Sequence, residues 1–163
     1  MIDDTTPSPV TVLIATDGTD ASLRAAHDAV PLLPAGAEVR LVAVVDEFHD
    51  PQEDAGGFEG PVETFEQAEA DYREMIVAAE GGLARTAQAF GPHPVHQEII
   101  ERGSESVGAR LCERADELGA AMIVVGSHGH RAIVDVLLGS VSSYVAHHSR
   151  CPVLVIRGHQ PDR

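Results

Sequence analysis

Lysine and tryptophan are both absent from this chain of 163 residues, and its 11 basic residues are all arginine. Without lysine, the chain has no Walker-type phosphate-binding lysine, which excludes a conventional P-loop. The arginines face 26 acidic residues, and the formal net charge is −15. Because phosphate backbones and anionic membranes both attract a basic surface, neither nucleic acid nor a membrane is expected as a partner.

Cysteine is nearly absent, and long apolar runs are missing as well. Cys112 and Cys151 stand in no metal-binding or disulfide spacing, so the sequence predicts two reduced, partly buried thiols. Residues 1–9 are polar and acidic, without the basic and apolar regions of a signal peptide. No apolar run approaches the roughly 18 to 20 residues that a membrane span needs. These absences predict a cytoplasmic protein.

Aromatic residues make up only 4% of the chain, although apolar residues make up 44%. The core must therefore consist of valine, leucine, isoleucine and alanine, which is typical of a buried parallel sheet covered by helices. The length fits one domain of common size, and no break in composition divides it. We therefore predict a single domain over residues 1–163, with its core at about 10–157.

Four short apolar runs and one weaker strand signal alternate with amphipathic stretches of helical period. The predicted strands are residues 10–15, 39–45, 95–101, 121–125 and 152–156. Such alternation predicts an α/β protein, an open five-stranded parallel sheet with helices on both faces, which is Rossmann-like. The segment 48–62 is rich in Asp, Glu, Gly and Pro, and is predicted to be a surface loop.

Three local signals concern the helices. Thr64 and Gln67 have the spacing of a capping box at the start of the second helix. The pair at 81–82 is Gly-Gly, which weakens the middle of that helix and predicts a kink. Ser104 is the predicted cap of the third helix.

A glycine pattern follows the fourth predicted strand at once, and it reads Gly126-x-x-Gly129-x9-Gly139-Ser140. In an open parallel sheet, ligands bind beyond the carboxyl ends of the strands. Glycines let the backbone approach a ligand, successive amides form an anion-binding nest, and a helix N-terminus favours phosphate. The pattern predicts a di- or triphosphate site that needs no lysine; sharp turns alone are the alternative reason for the glycines.

The same residues resemble the universal stress protein family. The resemblance rests on five segments: 12–19, 41–46, 126–129, 137–142 and 151–155. It covers about residues 10–157, and the glycine pattern is that of the subgroup that binds ATP. The resemblance implies an adenine nucleotide α-hydrolase-like fold with ATP at the C-terminal edge of the sheet. With a net charge of −15, the ATP is expected to arrive with Mg²⁺.

The resemblance also implies roles for particular residues. Asp17 would lie beside the ribose or adenine, and the backbone of Val44 would face the adenine ring. The phosphates would be held by Gly126, Gly129, Gly139, Ser140 and Val141. Ser142 offers a further amide and hydroxyl, and Arg131 is the only cation inside the glycine motif. Two alternatives stay open, since Asp17 also suits a helix cap and Arg131 also suits a solvated surface.

The function favoured by the motif and the resemblance is a regulatory or stress-response protein that holds ATP more than it turns it over. The sequence shows no general base tied to a nucleophile and no lysine for the γ-phosphate, so slow hydrolysis at most is expected and no catalytic residue is assigned. His128, His130, His147 and His148 match no standard zinc spacing, so no metal site is predicted.

The alternative is a nucleotide-independent, dimeric interaction module of the same fold. The fifth predicted strand is apolar and lies at a sheet edge, which invites pairing with a second copy. The family resemblance supports a homodimer through that C-terminal strand.

Overall fold

The computed structural model describes residues 9–51, 64–127 and 138–157. In chain order its strands and α-helices are β1 (Thr11–Ala15), α1 (Asp20–Ala29), β2 (Glu38–Val45), α2 (Phe65–Ala87), β3 (Val95–Glu101), α3 (Val107–Glu117), β4 (Met122–Gly126), α4 (Ser140–His148) and β5 (Val153–Ile156). Short 3-10 turns, Val30–Leu32 and Gln88–Phe90, extend α1 and α2. Among these helices, none is both long enough and apolar enough to cross a bilayer.

The strands form one parallel, five-stranded sheet in the order β3-β2-β1-β4-β5. This confirms the predicted open parallel sheet. The chain builds outward from the central β1 to β2 and β3, and then crosses to the other side of β1 to add β4 and β5. The strand order therefore reverses between β1 and β4, which leaves a crevice at their carboxyl ends.

Helices cover both faces of the sheet, as predicted. Val12 and Ile14 of β1 belong to one hydrophobic core, and Leu13 between them belongs to the other. The first core contains residues of α1 and α2, and the second contains residues of α3 and α4. Because the interiors of β1 and β4 are covered on both sides, their residues are apolar and form continuous runs. The edge strand β3 is less covered and keeps exposed polar residues, His96 and Gln97.

Hydroxyl side chains cap the first three helices. The caps are Thr19 for α1, Thr64 for α2 and Ser106 for α3. The prediction of Ser104 as the third cap was wrong by two residues, because a turn closed by the Glu105 amide and the Arg102 carbonyl comes first. Of the capping box of α2, the bond from the Gln67 amide to the Thr64 hydroxyl is formed, while the Gln67 side chain donates to Asp71.

The glycine pair in α2 does not interrupt the helix, which continues through Gly81 and Gly82 to Ala87. The two glycines differ in their surroundings. A Cβ added at Gly81 would meet nothing within 4 Å, whereas one at Gly82 would lie 2.7 Å from the Cα of Gly18. Gly82 is therefore a packing contact, and Gly81 is an exposed position that tolerates a side chain.

Neither cysteine forms a disulfide within the described part of the chain, and both are half-buried. Burial raises the pKa of the Cys112 thiol, and the neighbouring Asp116 carboxylate adds to the increase. Two free, half-buried thiols agree with the prediction of two reduced cysteines.

The contact between α3 and α4 depends on Gly108. A Cβ added there would lie 2.8 Å from the Cβ of Tyr144. Gly108→Ala is expected to lower the free energy of unfolding by about 1–2 kcal/mol, because overpacking outweighs the gain in helix propensity.

Urea denaturation measures this change. Gly81→Ala is the matched control, since it should raise stability by up to about 1 kcal/mol. A Gly108→Ala variant as stable as the wild type would contradict the close contact between the two helices.

Candidate functional site

A cavity of about 380 Å³ lies at the carboxyl ends of β1, β2 and β4, on the sheet face covered by α3 and α4. Its volume falls within the roughly 300–1,000 Å³ that is usual for small-molecule pockets. It occupies the crevice where the strand order reverses, which is the expected ligand position in an open parallel sheet.

One end of the cavity is apolar. Its walls are Val42 and Val44 of β2, Val107 and Leu111 of α3, and Val125 of β4. Leu111 is fully buried, while Val44 and Val107 are half-buried and so have surface to offer to a ligand. Such walls favour an apolar, uncharged group.

The other end of the cavity is the first turn of α4. Gly139 is the N-cap, with φ −69° and ψ 168°, and no described side chain caps the helix. The first intrahelical bond runs from the Ser143 amide to the Gly139 carbonyl, over 2.9 Å. The amides of Ser140, Val141 and Ser142 therefore have no acceptor within the helix. Together with the helix macrodipole, they favour an anion at this end.

Ser127 fixes this helix start to the sheet. The Gly139 amide donates to the Ser127 carbonyl over 2.7 Å, and the Ser127 amide donates to the Ile156 carbonyl over 2.8 Å. The Ser142 hydroxyl, which is 1% exposed, donates to the carbonyls of Ser127 and Gly139. Ser142 can therefore offer a ligand its amide, and Gly139 serves as the uncapped helix start.

Asp17 borders the cavity from the turn between β1 and α1. Its carboxylate accepts hydrogen bonds from the Thr19 amide over 3.1 Å and from the Thr19 hydroxyl over 2.6 Å. Thr19 in turn caps α1. The capping role that was the alternative for Asp17 thus belongs to Thr19, and Asp17 shapes the turn while its side chain stays exposed.

The polarity of the cavity comes from backbone groups and hydroxyls more than from charged side chains. Of the described residues that line it, Asp17 alone carries an ionisable group. Across the described ranges, no cluster of three or more His, Cys, Asp or Glu side chains could hold a metal ion.

The structure brings most of the predicted site residues to this cavity. They are Asp17, Val44, Gly126, Gly139, Ser140, Val141 and Ser142. Gly129 and Arg131 lie outside the described residues, and so do His128 and His130. Sequence reasoning missed the wall formed by Val107 and Leu111, because their spacing is that of an ordinary apolar helix stripe. The only signal for them was their place just after a strand end.

A doubly wound parallel sheet with a cavity over its switch point defines a Rossmann-like α/β protein. The sequence profile described as "Universal stress protein family" matches residues 10–157 of the chain. This chain belongs to the universal stress protein family.

Two relatives are similar over most of the chain. Universal stress protein MJ0531 of Methanocaldococcus jannaschii is 31% identical over 149 residues, which are 90% of this chain and 81% of that protein. Universal stress protein YxiE of Bacillus subtilis is 31% identical over 164 residues, covering 90% of this chain and 97% of that protein.

Solved structures share the fold. Hypothetical protein MJ0577 superposes with a TM-score of 0.73 at 21% identity, over 93% of this chain and 98% of that one. A universal stress protein in complex with cAMP superposes with a TM-score of 0.61 at 24% identity, over 94% of this chain and 100% of that one. The universal stress protein from Archaeoglobus fulgidus in complex with dAMP superposes with a TM-score of 0.59 at 18% identity, over 90% of this chain and 97% of that one.

Proposed function

We propose that this protein binds ATP together with Mg²⁺, as a member of the ATP-binding subgroup of its family, and that it serves a regulatory or stress-response role. One observation carries the proposal. A single cavity joins an apolar wall to an uncapped helix N-terminus, and these two ends match the base and the phosphates of a nucleotide. Two proteins of the same fold were solved with adenine nucleotides, which supports it further.

The proposed placement follows the chemistry of the two ends. The adenine lies against Val44, with Val107 and Leu111 on the opposite wall, and the ribose lies beside Asp17. A carboxylate that borders the cavity can accept a hydrogen bond from a ribose hydroxyl.

The phosphates lie at the start of α4. The amides of Ser140 and Val141 donate to them, and Gly126 lies beside them at the end of β4. Gly129 and Arg131 lie outside the described residues and are proposed as further phosphate contacts, Arg131 with the terminal phosphate. Bound in this way, the phosphates themselves supply much of the coordination of Mg²⁺.

We further propose that the ATP is held more than it is hydrolysed. The described residues at the phosphate end are glycine, serine and valine, and none of them is a general base that could activate water. Bound ATP should therefore persist long enough to be recovered with the protein.

Calorimetric titration of the purified protein with Mg–ATP tests the proposal. We expect a dissociation constant in the micromolar range, which corresponds to about −8 kcal/mol. Adenosine and inorganic triphosphate each fill only one end of the cavity, so each should bind more weakly than ATP. Mass spectrometry should detect an adenine nucleotide that co-purifies. Titrations without heat, on a protein that carries no nucleotide, would contradict the assignment.

A second candidate function is a homodimeric interaction module, and the edge strand β5 favours it. The carbonyls of Pro152 and Ile156 accept hydrogen bonds from the amides of Ile123 and Ser127. Because alternate residues of a strand direct their backbone groups to opposite sides, the groups of the intervening Val153 and Val155 face away from β4. An apolar strand with outward backbone groups is suited to pairing with the same strand of a second copy.

Val155→Pro is expected to convert the dimer into a monomer. The substitution removes an amide that faces away from β4, so the hydrogen bonds inside the sheet remain. Val155→Thr keeps this amide and should remain dimeric. Light scattering measures both variants, with nucleotide and after its removal. A monomeric wild type would contradict the dimer, and a dimeric Val155→Pro would place the interface elsewhere.

A further inference from the structure

One turn of α2 lies directly against the turn between β1 and α1. A Cβ added at Gly82 would lie 2.7 Å from the Cα of Gly18, and a Cβ added at Gly18 would lie 3.0 Å from the Cα of Gly82. Both contacts are with backbone, so no side chain can move aside. Gly18 also has a φ of +72°, which side chains rarely allow. The two segments can approach this closely only because both positions are glycine.

Buried hydroxyls join the same two segments. The Thr86 hydroxyl donates to the Gly82 carbonyl over 2.7 Å, so its oxygen accepts from the Thr16 hydroxyl, 3.1 Å away. The Thr16 oxygen accepts from the Gly18 amide over 3.2 Å and lies 3.0 Å from the Ser22 hydroxyl. Thr16, Ser22 and Thr86 are all buried. Because Thr86 is 1% exposed, removing its hydroxyl would take away the acceptor of the Thr16 hydroxyl and a donor to the Gly82 carbonyl, at a cost of about 1–3 kcal/mol.

A third anchor comes from the next position on the same face of α2. The guanidinium of Arg85 donates to the Gly18 carbonyl over 2.8 Å. Gly82, Arg85 and Thr86 follow the i, i+3, i+4 spacing that places residues on one side of a helix. One helical turn thus holds both the backbone and a buried side chain of the β1–α1 turn.

The held turn is the one that borders the cavity. Thr16, Asp17 and Ser22 line the cavity, whereas no described residue of α2 does. The core under α2 lies on the sheet face opposite to the cavity. Contacts made by α2 on one face of the sheet therefore reach the turn that carries Asp17 at the cavity.

We propose that Gly82 and Thr86 are positioning residues for the ligand site. They do not touch the ligand; they hold the turn from Thr16 to Gly18 so that the Asp17 carboxylate borders the nucleoside end of the cavity. The inference rests on the proposed nucleotide site. Since Asp17 serves the nucleoside and not the phosphates, a disturbance in α2 weakens adenosine, AMP and ATP by the same factor.

Two pairs of variants test this role. Thr86→Val removes the hydroxyl at nearly constant shape, and Thr86→Ser restores it. Gly82→Ala forces the turn to shift, and Gly81→Ala adds the same methyl group where nothing is within 4 Å. Thr86→Val and Gly82→Ala should each raise the dissociation constants of AMP and ATP about tenfold, the effect of roughly one lost hydrogen bond. Thr86→Ser and Gly81→Ala should bind like the wild type.

Amide hydrogen exchange of the ligand-free protein separates this inference from the proposed function. The Gly18 and Thr19 amides are held by Thr16 and Asp17, and Thr86→Val should accelerate their exchange. The Ala109 amide, bonded to the α3 cap, is the internal reference and should not change. A wild type that binds no nucleotide would refute the proposed function alone.

Three outcomes would overturn the positioning role. They are unchanged exchange at Gly18 and Thr19 in Thr86→Val, acceleration throughout the protein including Ala109, and an affinity loss confined to ATP. The first would show that the turn does not depend on α2. The second would reveal a purely structural role, and the third would place the effect at the phosphates.

Discussion

Ser140→Glu is expected to weaken ATP binding about 100-fold, while the protein stays as stable as the wild type or becomes slightly more stable. Ser140 is the first residue of α4 and is exposed, so a longer side chain meets no core. A carboxylate at a helix N-terminus stabilises the helix by about 0.3–1 kcal/mol. The same carboxylate repels phosphate: at about 6 Å and an effective dielectric constant of about 20, the cost is roughly 2.8 kcal/mol, or about 100-fold in affinity.

The opposite signs of these two effects make Ser140→Glu informative. Calorimetry with ATP and with adenosine gives the affinities, and thermal unfolding gives the stability. Adenosine should bind as it does to the wild type, because it carries no phosphate. Ser140→Gln, which has nearly the same shape without the charge, should keep most of the ATP affinity. A Ser140→Glu protein that binds ATP normally would show that the phosphates do not lie at α4.

Val107→Trp is expected to block the nucleoside end and to remove adenosine, AMP and ATP binding alike. Val107 is the half-buried first residue of α3 and lines the apolar wall, so an indole at this position extends into the cavity. Filling the space proposed for the base should cost about 100-fold or more in affinity, equal to at least about 2.7 kcal/mol. The fold should persist because the Ser106 cap of α3 is unchanged.

The absence of tryptophan from the natural sequence provides the readout. In Val107→Trp, the single indole should emit at shorter wavelength than in the control Val77→Trp, whose position is 61% exposed. The control should bind nucleotide like the wild type. An indole at position 107 that is buried while ATP still binds would refute the proposed placement of the base.

Together the two variants divide the site. Ser140→Glu should lower the affinity of ligands that carry phosphates and leave that of adenosine unchanged. Val107→Trp should lower the affinity of adenosine, AMP and ATP alike. Thr86→Val and Gly82→Ala, the variants of α2, should lower the affinities of AMP and ATP by the same moderate factor. Three distinct patterns are therefore expected from one cavity.

Much of the fold could be predicted because it depends on short-range patterns. The predicted strands agree with the observed strands to within one residue at each end, and their alternation with helical stretches predicted a parallel sheet covered on both faces. The cap of α3 was misplaced because Ser104 and Ser106 both have the right chemistry. The turn that separates them is evident only in the folded structure, from the hydrogen bond of the Glu105 amide to the Arg102 carbonyl.

The candidate site likewise has one part that the sequence predicted and one part that it did not. Its uncapped helix start could be predicted from Gly139 and Ser140, since glycine before a helix start is a local signal. Its apolar wall on α3 could not, because Val107 and Leu111 have the same spacing whether they face a core or a cavity. The glycines at 81–82 were interpreted only as a weak point of α2, and the contact of Gly82 with the Gly18 backbone was not predicted.

By itself, the sequence determined the class of fold, the order of the elements and the position of the glycine-rich helix start. These features arise from the period of apolar residues and from the backbone freedom of glycine, which are properties of neighbours in the chain. Only the tertiary structure decided which helix walls the cavity and which one holds the Asp17 turn. Those contacts join residues as far apart as Thr16 and Thr86, 70 positions along the chain, and they exist only after the strands have paired and the helices have packed on the two faces of the sheet.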